Sequence, residues 1–470
     1  MTGLDLAINN GTVVNADGTA RVHVGVRGGR IAVLSDRPLE ANRQLDASGL
    51  LVLPGAIDCH VHFLLKQGQG ETAVVTEDDY VSGPVSAARG GVTTFIDFAL
   101  HPRDTPPSEF MAQRIDLASQ GSCIDFAFHA GILDPRGAVL EELPKIVDMG
   151  IPSFKFFVTY RKWGFAVDLG FLNAAMTRIH ELGGIACLHA EQDEILEWRR
   201  TEHAGQQDLI YHSLTRPDFT EEIAVYEAVV LARETGCALY IVHLSTAKAL
   251  AVIRRARAEG IPVTTETCPH YLAFDHDVYR RPDGVLFTMT PPLRPPGNCA
   301  PLWEGLADGS ISVLSSDHNA VGRRVKESKP HFLDVAPGLS GSGTLLPFAY
   351  SEGVSRGRLT LPRMVEVTST APARIYRLAH KGAVRVGYDA DFAILDPEAD
   401  YIVRVADLDC PAGYTVFEGQ RFRGRISHTI VRGKFVVENG MFVGRSGYGR
   451  FIARPARALA AAEPERETGH

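Results

Sequence analysis

No CxxC pair occurs in this 470-residue chain, and its seven cysteines (Cys59, Cys123, Cys187, Cys237, Cys268, Cys299, Cys410) are an odd, scattered set. That argues against a disulfide framework or a thiolate zinc site and fits reduced, buried thiols. Excess positive charge is lacking too. Lys plus Arg number 48 against 56 Asp plus Glu, a net charge of −8, so no global field exists to hold a nucleic-acid backbone or an anionic membrane. Long apolar runs are also missing. Met1–Asn10 (MTGLDLAINN) has neither a basic start nor an apolar stretch, and no segment elsewhere resembles a spanning helix. The expectation is a cytoplasmic protein with no nucleic-acid and no membrane partner. What is present is ordinary for a packed chain, 45% hydrophobic and 22% charged residues, long enough for one large barrel and a satellite domain.

The first fifty or so residues alternate as short strands separated by Asn-Gly and Gly-Gly turns, for example in Val22–Val26 and Arg30–Leu34. From Leu51 to about Arg377 short apolar runs alternate with helical patterns, the texture of repeated βα units. Eight strands are predicted, at Leu53–His60, Val92–Phe98, Ile124–Ala130, Ser153–Val158, Ile185–His189, Leu239–His243, Val263–Thr267 and Ile311–Ser316. Helices such as Asp79–Arg89, Gly170–Leu182, Thr220–Glu234 and Ala247–Ala258 lie between them. Eight repeats over such a span favour a closed (β/α)8 TIM-like barrel over an open sheet. Strand patterns return after Gly382, so one small β-sandwich built from both termini is expected to flank the barrel. The expected division is residues 1–52 and 379–453 for the sandwich and 53–378 for the barrel. Residues 454–470 (RPARALAAAEPERETGH) read as a frayed or partner-docked tail.

His60-Val61-His62 closes the first predicted barrel strand. Residues i and i+2 of a strand face the same way, so both imidazoles can point at one spot of the mouth where barrel enzymes keep their active sites. Alone, such a pair is weak, because satisfied core or surface histidines explain it as well. Repetition changes the weighing: His189 ends the fifth predicted strand, His243 the sixth, and Asp317 the eighth in Ser315-Ser316-Asp317-His318. Lys155 lies inside the apolar fourth strand Ser153–Val158, where burial would favour its neutral amine. A neutral amine can take up carbon dioxide as a carbamate that bridges two cations. A lysine reaching to the rim, or a Schiff-base nucleophile, is the alternative. Nitrogen and oxygen donors without thiolate suit zinc, manganese, nickel or iron(II), zinc being the commonest.

These residues carry a resemblance. GAIDCHVHF, Lys155, Leu188-His189-Ala190-Glu191, Val242-His243-Leu244-Ser245 and SSDH, with GGVTTFIDFAL, ETCPHYL, TPPLR and GYGRF in order, resemble the amidohydrolase superfamily, and within it the cyclic-amidase branch of dihydropyrimidinases and hydantoinases. The resemblance implies one divalent ion at His60, His62 and Asp317, a second at His189 and His243, and Lys155 as N6-carboxylysine between them with a bridging hydroxide. It also implies a catalytic Asp317 that shuttles the proton and a Tyr160 that donates to the oxyanion; packing of Tyr160 on the rim is the alternative. The implied reaction opens the ring amide of a hydantoin or dihydropyrimidine-type small molecule to an N-carbamoyl amino acid, in a homodimer or homotetramer. Phe63 follows HxH where dihydroorotases usually carry an arginine, and Ile96–Leu100 departs from the allantoinase pattern. Allantoinase and cyclic imide hydrolase remain alternatives, and a non-catalytic scaffold is disfavoured because all six ligand positions are kept.

Around the substrate the chain departs from the dihydropyrimidinase pattern. In Ala336–Pro347, Pro337 stands where those enzymes place an asparagine, Gly343 a glutamate and Leu345 an arginine, while Thr290 stands for a ring-binding serine. Pro337 has no backbone donor, so its contact with substrate is expected through its carbonyl, from a glycine-rich and mobile loop. Phe63, Leu64, Leu65, Phe157 and Trp163 are expected to form an apolar wall. His270 and His318 are expected to be structural or to support the ligands from behind.

Overall fold

The structure, a computed structural model, describes residues 3–67, 73–102 and 105–456. Eight strands form one parallel sheet in chain order: β1 (Ala56–Val61), β2 (Val92–Leu100), β3 (Asp125–Gly131), β4 (Ser153–Phe157), β5 (Ile185–His189), β6 (Ala238–Ile241), β7 (Val263–Thr267) and β8 (Val313–Leu314). Every residue of β1, β3, β4 and β5 is buried, which explains why these strands read as continuous apolar runs rather than as alternating ones. Closure does not come from a ladder between β8 and β1. It comes from His318, which bridges Val61, donates its amide to the His60 carbonyl at 3.1 Å and accepts from the His62 amide at 2.7 Å. Ile57, Cys59, Ile96, Ala127, Cys187, Tyr240 and Val313 fill the interior, and Ala371–Leu378 packs onto that cluster.

The sandwich joins both ends of the chain. Leu4–Asn9, His23–Arg27, Arg30–Ser35 and Ala41–Asp46 form a four-stranded sheet. The facing seven-stranded sheet combines Thr12–Asn15, Gly18–Arg21 and Leu51–Pro54 with the late strands Phe392–Ile402, Arg421–Val431, Lys434–Glu438 and Met441–Phe442. Leu6, Ile8, Val24 and Val26 meet Val52, Phe392, Ile394 and Ile430 in a shared core. The single strand expected at Leu53–His60 is therefore two. Leu51–Pro54 pairs with Phe392–Leu395 in the sandwich, and the chain turns into β1 at Gly55, where a Cβ would lie 2.0 Å from the Thr93 hydroxyl.

Two further expectations are corrected. Arg454, placed in the frayed tail, is buried and donates to the Phe128 carbonyl and to Ser153 Oγ at 2.9 Å, because the arginine satisfies groups at the barrel wall; residues 457–470 lie outside the described residues. The glycine-rich segment after β8 is held tightly. Gly338 N donates to the Thr288 carbonyl at 3.0 Å, Tyr414 donates to the Gly338 carbonyl at 3.1 Å, and the Gly341 and Ser342 amides donate to His318 Nδ1. Its glycines permit close approach instead: a Cβ on Gly343 would lie 2.8 Å from the Ser86 carbonyl oxygen.

Candidate active site

The C-terminal ends of the barrel strands bring the chemistry-bearing residues to one mouth. His60 is in β1 and His62 immediately after it, Lys155 is in β4, and His189 ends β5. His243 and Asp317 lie two and three residues beyond the ends of β6 and β8. His60 Nε2 stands 3.2 Å from His62 Nε2 and 3.0 Å from Asp317 Oδ1, and His62 Nε2 lies 3.6 Å from the same oxygen. The His189 and His243 rings meet edge to face at 4.5 Å, and the His243 ring stacks 5.4 Å from His60. Lys155, 1% exposed, places its Nζ over the rings of Phe98 and Phe157 at 4.6 and 5.0 Å.

Burial sets the protonation of this set. It pushes His62 and His189 down to about 4 and His243 well below the usual histidine range, which leaves neutral imidazoles with lone pairs to give. His60 is also desolvated by burial, but the carboxylates of Asp317 and Glu266 outweigh that and raise it to about 9. Burial lowers Lys155 to about 8 against the pull of Asp317, so about a tenth of its amine is neutral at pH 7 and about half at pH 8.

The donors fit a divalent cation. Nε2 atoms of two histidines face each other across a carboxylate oxygen, and the buried Nδ1 atoms of His62 and His243 have no hydrogen-bond partner among the described residues. Uncompensated buried nitrogens are costly unless an ion or a fixed proton offsets them. His60, His62 and Asp317 form a grouping close enough to hold one ion. Behind them, carboxylates that sequence reasoning missed orient the rings. His60 Nδ1 bonds Glu266, which also accepts from Tyr240 at 2.8 Å and from the His243 amide at 3.1 Å, while His189 Nε2 meets Glu191 at 3.0 Å beside Arg216. Such partners fix the ligand tautomer. Glu191 and Glu266 sit two residues past His189 and inside ETCPHYL, the only signals that could have found them.

A pocket opens above this cluster, lined by His62, Lys155, His189, His243 and Asp317 together with Tyr160, Thr290 and Pro337. The Tyr160 hydroxyl bonds Thr290 Oγ1, its ring stacks on Trp163 at 4.8 Å, and burial raises its phenol above the usual range, so it stays protonated. Leu65, Leu100, Phe157, Trp163, Phe165 and Met289 make the apolar lining. Phe63 does not reach it: its ring packs 5.0 Å from Phe95 and 5.4 Å from His318 behind the wall, because the chain turns inward after His62, and Leu64 is likewise outside the lining. Pro337 does line the pocket, but its carbonyl accepts from Gln67 Nε2 at 3.1 Å, and the same nitrogen donates to Asn319 Oδ1 at 2.9 Å. Gln67 and Asn319 are thus lining residues that the sequence reading did not single out. His318 bonds Asp78 at 2.7 Å, and His270 is buried against Tyr271.

Comparison with known proteins bears on the same chain length. A D-hydantoinase from Ralstonia pickettii is 33% identical over 96% of this chain and 99% of its own. A D-phenylhydantoinase from Escherichia coli (strain K12) is 36% identical over 95% and 97%. The crystal structure of a dihydropyrimidinase from Brevibacillus agri NCHU1002 superposes with a TM-score of 0.92 at 33% identity, covering 97% and 99% of the two chains. The sequence pattern described as "Amidohydrolase family" matches residues 51–436, the span that runs from the last N-terminal sandwich strand through the whole barrel, and this chain belongs to that family.

Proposed function

We propose that the chain hydrolyses the ring amide of a hydantoin or dihydropyrimidine-type cyclic ureide, opening a C–N bond to give an N-carbamoyl amino acid. The observation that carries this reading is the convergence of four histidines, a desolvated lysine and a carboxylate beneath one pocket, in a chain similar end to end to proteins named hydantoinases and dihydropyrimidinase. The relatives named above carry hydantoinase and dihydropyrimidinase names, and nothing in the site favours an allantoinase.

His60, His62 and Asp317 would hold one divalent cation and His189 and His243 a second, with Lys155 as N6-carboxylysine from carbon dioxide between them; zinc suits the donors. Bound ions of this kind supply an activated water at neutral pH and polarise a carbonyl. Asp317, ionised because His60 and His62 outweigh its burial, accepts the proton of the attacking water and returns it to the ring nitrogen as the C–N bond breaks. Tyr160, held by Thr290, donates its phenolic proton in a hydrogen bond to the oxyanion that develops on the carbonyl. Thr290, Pro337 and its neighbours Gln67 and Asn319 border the ring edge, and the aromatic wall favours a bulky apolar substituent over unsubstituted dihydrouracil.

No helix among the described residues is long and apolar enough to cross a membrane; a cytoplasmic homodimer or homotetramer is part of the same reading, and light scattering checks the assembly. Elemental analysis and the lysine state test the centre directly. Two ions per chain and a carboxylated Lys155 are expected, with metal and activity lost together in Lys155→Ala. Active protein with one ion or none, or an unmodified lysine in a crystal structure of the active form, would contradict it.

A further inference from the structure

The pocket shares Gln67, Trp163 and Pro337 with a wider groove of about 590 Å³ on its outer side. The inner space is about 60 Å³, so a long exocyclic substituent on a ring seated beside Asp317 has to leave it, and Trp163 faces both spaces. Beyond Trp163 the lining changes in character. It carries Lys162, Arg200 and Lys329, with Asp334 the one acid among the described lining residues. Arg161, adjacent to Lys162, is engaged by Asp193 and Glu194. Neither Lys162 nor Lys329 forms an ion pair with another described residue. Arg200, 18% exposed at its side chain, donates to the Leu333 carbonyl at 2.9 Å and has Glu197 no nearer than 3.8 Å. The result is a local positive excess among the described lining residues, in a chain whose net charge is −8.

We propose that this groove is an outer subsite for a carboxylate at the tip of the ring's exocyclic substituent. The preferred substrate is then a cyclic ureide whose side group is apolar next to the ring, against Phe157, Trp163 and Phe165, and negatively charged at its far end. This rests on the cyclic-amidase reading above and narrows it to a substrate class. Among the described residues three cations against one acid supply discrimination by the sign of charge; because Lys162 is exposed and Lys329 and Arg200 are half-buried, the effect is moderate and sensitive to salt.

The test compares kcat/KM for 5-(4-carboxybenzyl)hydantoin and 5-(4-carbamoylbenzyl)hydantoin, which differ in charge and hardly in size. A preference for the carboxylate of about three- to tenfold at low ionic strength is expected, falling at roughly 0.5 M salt and disappearing in the Lys162→Glu, Lys329→Glu double variant. Equal or better turnover of the amide, or a preference that survives the double charge reversal, would overturn the proposal. Should that variant fail to fold, Lys162→Gln and Lys329→Gln singly carry the same reading through the carboxylate-to-amide ratio. Failure to open either ring would count against the hydrolase reading instead. Calorimetric binding of the two compounds to metal-loaded protein then decides the groove by itself, with tighter binding of the carboxylate supporting it and equal affinity overturning it.

Discussion

Three residues bordering the pocket, Tyr160, His243 and Asp317, have left-handed backbone, with φ of 68°, 39° and 49°. Such conformations cost about 1–3 kcal/mol each and persist where surrounding bonds overdetermine them. Here the Tyr160 amide donates to Asp193 at 2.8 Å and the His243 amide to Glu266 at 3.1 Å. Asp and Asn tolerate this conformation better than most residues, so Asp317→Asn tests chemistry with little disturbance of the backbone. Turnover is expected to fall by about 10²–10⁴ while the thermal midpoint stays close to that of the parent; activity within a few-fold would remove Asp317 from the proton path. Tyr160→Phe is expected to lower kcat by about 10² with a smaller change in KM, read from steady-state kinetics on one substituted hydantoin. At this scale the side chains that meet at the mouth were legible, because HxH is repeated by His189, His243 and Asp317 at the ends of later strands and a lysine lies inside an apolar run. Glu191, Glu266, Gln67 and Asn319 were not, since a carboxylate or amide in a polar stretch gives no sign of where its tip points.

At the scale of elements, the eight strands were legible because burial on both faces leaves runs of apolar residues that short turns and helical patterns punctuate. The split at Gly55 was not, since Leu51–Val61 is buried throughout and the change from one sheet to another breaks it. The segment after β8 shows the opposite error. Its glycines look like mobility in sequence, but in three dimensions they allow backbones to touch: Gly343 abuts the Ser86 carbonyl, and the Thr288 carbonyl takes both Gly338 N and the Nζ of Lys326 at 2.6 Å. Gly343→Ala is therefore expected to destabilise by about 1–3 kcal/mol through overpacking, measured by denaturant unfolding. A neutral outcome would show that the segment yields as the sequence reading assumed.

For the whole molecule, barrel and sandwich are joined by charge as well as by apolar packing. Lys381, 2% exposed at its side chain, meets Asp125 of β3 at 2.6 Å, Asp389 at 3.1 Å and Asp391 at 2.5 Å, and Arg432 bonds the same Asp125. Removing the lysine leaves buried Asp391 without an ion-pair partner among the described residues, while Asp125 keeps Arg432 and Asp389 keeps Arg30, so Lys381→Met is expected to cost about 3–5 kcal/mol in chemical denaturation, with the metal content of the folded fraction unchanged. The sandwich from both termini was legible from strand patterns at each end. This clamp was not, because Asp125 lies 256 positions from Lys381.

The reaction itself is tested most directly by incubating the metal-loaded protein with 5-benzylhydantoin in H₂¹⁸O and following the product by mass spectrometry. Ring opening to N-carbamoylphenylalanine with one ¹⁸O in the new carboxylate is expected, and in Asp317→Asn the yield of that labelled product should fall by about 10²–10⁴. An intact ring in the presence of fully metal-loaded protein, or an opened product without label, would contradict hydrolysis of a cyclic amide at this site.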